Sequence, residues 1–583
     1  MINLPQEILI SITSLLTTRD KLNCIRVCKS WYNIIASSNL YDKLEVKNDS
    51  VFDIQAAVDM FRKKKYVGDT VKNLNIKWPS LKHSDILVSF PKLFPNVRTL
   101  HVDEEFYNAR QFPSPEEFDY AETFKCWNKL ETLIDRSEYL VFTEHIFKHS
   151  NLNTLKRLDI ATVDMYAREE SDNILKILRD NIHCIPALQE LSLVNPTIRL
   201  EDMEVLHDSI RNLKKLILNI NCFHNLWLQE RAVSVSTQAS QLKSLTLYIY
   251  PNSIRDDQEN LDESVRKWIS YIGQKYKNLQ YLMIETYSQR TYNHYLSTTM
   301  EYAAMNMLSA LRYIKYLGID LCPLTKRITS IMEYNRIQLN GMVLHLNDTP
   351  QNEQMIDSLR PSQLINKVVK LTIRISALVI RRMNEPSYLK SRAIKLPELF
   401  INVVDLTVYW IPEGCATMLL SNLIQSFPVL QKLETGLVDF GVSESELANS
   451  YHIKECNTLE SICFNLRAGP HQKRTNRFEF NSSFQALFQA CPQIETVQIT
   501  GELNGVSDEH DKELTLCFSK NIKLKQVYIR LVRCDGYSIN GSLVERKEAS
   551  KYPFDEQLHH LNLVIHEPSY VTVWAWFPNP FSF

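Results

Sequence analysis

Glycine is scarce in this chain, 12 residues in 583. That argues against glycine-rich phosphate-binding loops and against a fold of many tight hairpins. An excess of one charge is missing too: 66 Lys and Arg nearly cancel 67 Asp and Glu. A general nucleic-acid or membrane-surface binder would show a basic surplus, so neither partner is expected. The 12 cysteines lie at irregular spacing with no CxxC pair. In a large chain they are expected to be reduced thiols used as small hydrophobes. No run of about 18 apolar residues exists to span a bilayer. The opening MINLPQEILI lacks a basic segment ahead of a continuous apolar one, so no secretion signal is expected. The expected compartment is cytoplasm or nucleus. GxSxG, HExxH, GxxxxGK[ST] and GxGxxG are all absent, and the 15 histidines do not cluster with carboxylates or cysteines at ligand spacing. The expectation is a non-catalytic chain with no metal and no cofactor. A hydrolase assembled from distant residues is the weaker alternative.

What is present is a repeat. Hydrophobic residues make up 44% and charged residues 23%, a globular composition. The pattern apolar-x-x-apolar-x-apolar recurs along the chain. It reads VKNLNI (71–76), VRTLHV (97–102), LKRLDI (155–160), LQELSL (188–193), LKKLIL (213–218), LKSLTL (242–247), LQYLMI (279–284) and IKYLGI (314–319). Further copies are VVKLTI (368–373), VVDLTV (403–408), LESICF (459–464), IETVQI (494–499), LKQVYI (524–529) and LHHLNL (558–563), with weaker ones at LETLID (130–135), GMVLHL (341–346) and LQKLET (430–435). Taking the fourth residue of each as marker, the series runs from Leu74 to Leu561 with a mean spacing of about 30. Each copy reads as a short strand whose fourth and sixth residues point into a core.

Helical patterns lie between the strands. LDESVRKWISYIGQKY (261–276) puts Val265, Trp268, Ile269, Ile272 and Tyr276 on one face, with Asp262 as expected N-cap. TMEYAAMNMLSALRYI (299–314) and CATMLLSNLIQSF (415–427) read similarly. One strand and one helix per unit, neither able to bury its face alone, is an α/β repeat solenoid. The series resembles the leucine-rich repeat family. LKKLILNINCF (213–223) meets the longer consensus with Asn221 and Phe223 at the ninth and eleventh positions, and IKYLGIDLCPL (314–324) does so with Cys322 and Leu324. In LQELSLVNPTI (188–198) the Asn is one place early. The resemblance implies an irregular, ribonuclease-inhibitor-like horseshoe with helices on the convex side. It also implies that the ninth-position side chain bonds the turn backbone.

The first 45 residues differ. LPQEILISITSLL (4–16) carries Leu4, Ile8, Ile12, Leu15 and Leu16 on a helical stripe, with Pro5 in its first turn. After Thr17–Thr18–Arg19, Asp20 is a natural N-cap for a second helix holding Leu22, Ile25, Val27, Cys28 and Trp31. Ile34, Ile35, Leu40 and Tyr41 continue the series. Three short helices make too small a core to stand alone. The order LPxEIL…IxxxLL…DxLNCxxVCKSWYxII…LY resembles the F-box motif, with Tyr41 where that family ends in tryptophan. The resemblance implies a three-helix F-box that docks a Skp-type adaptor through Leu4, Pro5, Ile8, Leu22, Val27, Cys28 and Trp31, and through the adaptor a cullin scaffold. The repeats would then recruit an unknown protein substrate. The chain would be the substrate receptor of an SCF-type (Skp–cullin–F-box) ubiquitin ligase. The domains expected are an F-box over 1–45, a linker helix over 46–70 and a solenoid over 71–583 with an aromatic C-terminal cap.

Blander readings stand beside these. Cys24 and Cys28 share one helix face, but a metal needs two more ligands and no nearby pair supplies them. The N-terminal helices could simply cap the open end of the solenoid, making the chain a non-ligase scaffold. Strand positions flanking the inward residues should form the substrate face: Tyr248, Tyr281, Met283 and Tyr316, then Arg374, Tyr409 and Trp410. Tyr250, Glu285 and Asp320 lie nearby. Tyrosine bands with a few charges suit protein binding, and they also suit strands for their own sake. RKKK (62–65) reads as the solvated face of the helix DIQAAVDMFRKKK. RAGPHQKRTNR (467–477) reads as a basic loop, and VTVWAWFPNPFSF as a segment folding back on the last repeat.

Overall fold

The computed structural model describes residues 8, 12, 31, 42–47, 58–59, 61–63, 68–78, 88–104, 119–137, 140–161, 176–194, 198–221, 235, 238–250, 258–286, 298–319, 324–346, 350–375, 396–409, 420–436, 455–466, 480–502, 513–518, 520–532, 536–539, 542–544 and 562–565. The chain divides into two compact units, residues 1–288 with 302–313 and residues 289–301 with 314–583.

The first unit holds strands β1 (Lys43–Lys47), β2 (Asn73–Trp78), β3 (Thr99–Glu104), β4 (Thr132–Asp135), β5 (Arg157–Ala161), β6 (Glu190–Val194), β7 (Lys215–Asn221), β8 (Ser244–Tyr250) and β9 (Tyr281–Thr286). Each pairs in parallel with the next in sequence. The second unit holds β10 (Tyr316–Ile319), β11 (Gly341–Leu346), β12 (Lys370–Ile375), β13 (Asp405–Tyr409), β14 (Lys432–Thr435), β15 (Ser461–Leu466), β16 (Thr496–Glu502), β17 (Glu513–Leu516), β18 (Gln526–Val532), β19 (Gly536–Ile539), β20 (Ser542–Val544) and β21 (Asn562–Ile565). Here β10 to β16, β18 and β21 form the same sequential parallel ladder. β17, β19 and β20 make a separate three-stranded sheet. Parallel neighbours need a crossover. Helices such as Val141–His149, Leu200–Ser209 and Gln258–Lys275 lie between strands in the first unit, and Lys326–Tyr334, Pro350–Leu359 and Phe480–Ala490 in the second. This is the expected α/β repeat solenoid.

One pattern builds every rung. The first, fourth and sixth positions of the repeat are core. From Leu74 to Val527 the fourth-position residues are 0–2% exposed, and each buried leucine contributes roughly 1.5–3 kcal/mol. Ahead of the strand, the N–H groups of positions two and three both donate to the position-two carbonyl of the preceding repeat. Arg98 and Thr99 reach Lys72 O at 2.7 and 2.9 Å, and Lys525 and Gln526 reach Glu495 O at 2.7 and 3.1 Å. Three residues before position one lies what we call the turn position, whose carbonyl accepts from position one: Leu279 N to Tyr276 O at 3.1 Å, Leu430 N to Phe427 O at 3.2 Å. Consecutive turn positions touch. Trp127 Nε1 donates to Phe94 O at 3.0 Å, and Asn521 Nδ2 to Cys491 O at 2.8 Å. Asparagines just before position one stitch rungs in the same way: Asn96 to Asp69 O, Asn212 to Pro186 O, Asn278 to Ser240 O and Asn402 to Asn366 O.

Several expectations need correcting. β1 precedes the first expected copy and sets Leu44 opposite Leu74 and Val46 opposite Ile76, so a rung forms directly behind the N-terminal segment. In GMVLHL the strand pairs Met342, not Leu344, with Leu317 and Leu371. In the last copy Leu563, not Leu561, stands opposite Val527. Both are two-residue shifts, which keep the same face inward and so leave the apolar pattern unchanged. Asp262 is not an N-cap: the helix runs Gln258–Lys275, because Gln258 and Glu259 extend it well. The five apolar residues expected on its face are all buried. TMEYAAMNMLSALRYI is helical over Thr298–Ala310, and CATMLLSNLIQSF over Leu420–Ser426. Asp135, an acid at an inward position, accepts from the N–H and hydroxyl of both Ser137 and Thr143, fixing the first turn of the next helix. Cys322, Phe223, residues 467–477 and 571–583 lie outside the described residues, as does the side chain of Asn221. Among the described residues no helix is long and apolar enough to cross a membrane.

Candidate functional site

The N-terminal segment offers one candidate surface. Ile8, Ile12 and Trp31 are helical. Ile8 and Ile12, four residues apart and so on one helix face, are 47% and 40% exposed. Trp31 is half-buried. Leu4, Pro5, Asp20, Leu22, Cys24, Val27 and Cys28 lie outside the described residues. Downstream, Val58 and Phe61 are buried while Arg62 and Lys63 are exposed, so the start of RKKK is a solvated helix face, with Arg62 paired to Asp59 at 3.6 Å.

The open face of each sheet offers the other. Positions three, five and seven point away from the core, and register puts like positions side by side. In the first unit, Tyr248 stands opposite Glu285, Thr246 opposite Met283, and Ser244 opposite Tyr281. Tyr248 and Tyr281 keep part of their surface. Met283 and Glu285 are 5% and 2% exposed, so they lie in the floor of the face. Met283 stands beside Thr246, itself 7% exposed, a neighbour that sequence parity does not report. Tyr250 pairs with Asn221 along the backbone. Toward β5 the face turns ionic. Asp159 is buried between Arg157 at 3.6 Å and Arg136 at 3.9 Å. Burial pushes its carboxyl pKa up, and the two guanidinium groups oppose that.

In the second unit, the Tyr316 ring lies over Gly341, where an added Cβ would meet ring carbons at 2.2 and 2.6 Å. Its hydroxyl comes within 3.5 Å of Thr372 Oγ1, so one tyrosine covers two strands. His345, Arg374 and Tyr409 are consecutive in register, and the Arg374 guanidinium sits over the Tyr409 ring at 5.4 Å, a cation–π arrangement. Burial and the Arg374 charge push the His345 pKa down to about 3, so the imidazole is neutral at physiological pH. Lys370 and Asp405 pair at 3.6 Å. Structure thus joins Arg374 to Tyr409. Trp410 and Asp320 lie outside the described residues. Sequence reasoning missed Gly341, His345 and Thr372. The signal for Gly341 was a glycine inside a strand pattern in a glycine-poor chain.

A dense titratable cluster sits on the helix side of the first unit. Lys275 Nζ is 2.7 Å from Glu204 Oε1, Tyr271 donates to the same oxygen at 2.6 Å, and Tyr276 OH meets His207 Nε2 at 2.8 Å. Burial pushes His207 down to about 4 and both tyrosines up. These groups hold one another as a structural network does, with Lys275 Nζ bound to Glu204 by charge and not by an aligned hydrogen bond. Among the described residues no group of three or more His, Cys, Asp or Glu is placed to hold a metal ion.

Comparison with known proteins adds three findings. No curated protein matches the chain. The crystal structure of the Rad7 and Elc1 complex in yeast is similar at 12% identity, over 80% of this chain and 98% of that one, with a TM-score of 0.30. Residues 1–47 match the family model described as F-box-like, and that match ends on the last residue of β1. Residues 1–47 thus form an F-box-like segment, and it leads into an α/β repeat solenoid.

Proposed function

We propose that this chain is the substrate-receptor subunit of an SCF-type ubiquitin ligase. The observation that carries the reading is the F-box-like match over residues 1–47, which contains an apolar helix face left open at Ile8 and Ile12. In this reading a Skp-type adaptor covers that face, contacting Leu4, Pro5, Ile8, Leu22, Val27, Cys28 and Trp31, and a cullin joins through the adaptor. Clustered apolar anchors with a tryptophan are the usual hot-spot chemistry. The repeats, taken as leucine-rich, hold a protein target on their open faces. In the first unit the contact residues are Tyr248 and Tyr281, with Met283 shaping the floor; in the second they are Tyr316, Arg374, Tyr409 and Trp410. In this reading the chain does no covalent chemistry on the target. It raises the effective concentration of target lysines near the ligase. The scaffold reading, in which the helices only cap the repeats, expects Ile8 and Ile12 to be covered by the chain itself.

The test is capture of a purified Skp-type adaptor by the intact chain and by an Ile8→Asp/Ile12→Asp variant, with circular dichroism to verify folding. The expected result is binding by the former and at least about 30-fold weaker binding by the folded variant, equivalent to about 2 kcal/mol. Equal binding, or none by either, overturns the docking surface.

A further inference from the structure

The repeat places two thiols on adjacent rungs. Cys456 and Cys491 both occupy the turn position, three residues before Leu459 and Ile494. They are separated by the same 35 residues that separate the paired strand residues Ser461 and Thr496. The backbones touch there: Cys456 N–H donates to Ala490 O at 2.7 Å. The equivalent tether in the first unit, Ala239 N to Lys275 O at 3.0 Å, carries Ala239 and Tyr276 at these two positions. Neighbouring parallel strands lie about 4.8 Å apart. A disulfide needs Cα atoms about 4.4–6.8 Å apart, so adjacent rungs suit one without moving the backbone.

We propose that Cys456 and Cys491 form a reversible disulfide, a modification site addressed by hydroperoxides. It stands independently of the ligase reading. Cys456 is partly exposed and Cys491 is fully buried, so an oxidant meets Cys456 first. The Cys491 thiol donates a hydrogen bond to the Cys456 sulfur, helped by Thr458 Oγ1 at 3.6 Å and by the N–H groups of Thr458 and Leu459. These bonds push Cys456 down to about 5, whereas the partner's bond and burial push Cys491 well up. Cys463, on β15, is pushed up to about 12 by burial and by Glu434, so it stays protonated. One sulfur is therefore a thiolate at neutral pH and its neighbour a resolving thiol.

The chemistry has two steps. The Cys456 thiolate attacks one oxygen of hydrogen peroxide, the O–O bond breaks, and the departing hydroxide takes a proton to become water, leaving a sulfenic acid. Cys491 then gives up its proton and its sulfur attacks the sulfenic sulfur. The S–O bond breaks, a second water leaves, and the S–S bond forms. The two thiols lose two electrons and two protons, and the peroxide is reduced to two waters. A dithiol reverses the reaction by exchange. The bond fastens the end of helix Phe480–Ala490 to the rung before it.

The test uses the reduced full-length chain treated with stoichiometric hydrogen peroxide, blocked with N-ethylmaleimide and mapped by peptide mass spectrometry. The expected product is a Cys456–Cys491 linked peptide that dithiothreitol abolishes. In Cys491→Ser, dimedone should instead trap a sulfenic acid at Cys456. Alkylation of the untreated chain at pH 6 needs no variant, and Cys456 should react at least about tenfold faster than the comparably exposed Cys126. Cross-links scattered over other cysteines, or alkylation of Cys456 no faster than Cys126, overturn the proposal.

Discussion

On the rim ahead of the strands, position two of the first unit carries Lys72, Arg98, Glu131 and Lys156, with Glu131 bridging Arg98 at 3.4 Å and Lys156 at 2.7 Å. In the second unit that position is apolar at two neighbouring rungs, Val369 and Val404, with exposed Ile401 and Val429 one or two residues before position one in their repeats, while Glu495 and Lys525 pair at 2.7 Å as on the first rim. The backbone bonds are the same on both rims. Behind the strands one buried cluster in each unit differs in kind. The first unit buries the Glu204–Lys275–Tyr271 cluster, and the second packs Phe464, Phe484, Phe488 and Phe518 ring against ring at 4.5–6.2 Å. A rung is held by main-chain bonds and by positions one, four and six. The remaining positions vary freely, and differences of surface chemistry collect there.

That comparison can be broken. Glu204→Leu strands the buried Lys275 ammonium without its carboxylate, and losing one partner of a buried pair costs about 3–5 kcal/mol. Hydrogen exchange should show the loss in β7 to β9 and leave β12 to β16 protected. A loss below about 1 kcal/mol would mean that Lys275 finds water or another acceptor. Gly341→Ala should act on the other unit alone. It forces the Tyr316 ring off β11 and away from Thr372, an overpacking cost of about 1–3 kcal/mol, read as a changed near-UV tyrosine signal and a lower urea midpoint for that unit.

The histidines sharpen it through pH. His207 titrates near 6.5 when unfolded and near 4 when folded. Between those values the unfolded chain binds a proton that the folded chain does not, so stability falls as pH drops from about 6.5 toward 4. His207→Gln should flatten that slope in the first unit. His345→Gln should do the same in the second, where the folded value is about 3. A slope unchanged by either variant assigns the pH dependence to other groups. The smallest effect belongs to Glu131→Gln. Its pKa is held down by the hydrogen bond from Lys156, but the pair is a surface one, so the loss should be under about 1 kcal/mol and vanish in 1 M salt.

Much of this fold is legible in the sequence, because the inward leucines recur with a spacing that only a stacked strand–helix unit explains. The frame of two strands was not. In GMVLHL and LHHLNL several apolar residues alternate, and hydrophobicity cannot tell a strand from itself moved by two. β1 was missed because KLEVK is only five residues long and mostly charged. The face membership of Tyr248, Tyr281, Tyr316, Arg374 and Tyr409 followed from parity alone. The burial of Met283 did not, because it depends on side chains 37 residues away in sequence and one strand away in space. The thiol pair was equally hidden. Cys456 and Cys491 look unrelated until the turn position is recognised as a column running through the repeats.

The doubled bond at position two has a mechanical consequence. Among the described residues of either unit, the main-chain links between neighbours run from one repeat to the next, so a pull on the ends loads a single seam at a time. Such a chain should part repeat by repeat. Each rupture releases about 30 residues, roughly 100 Å of contour at about 3.5 Å per residue, and force–extension traces should show a sawtooth of that step rather than one large break. A closed Cys456–Cys491 bond would weld two teeth of that saw into one.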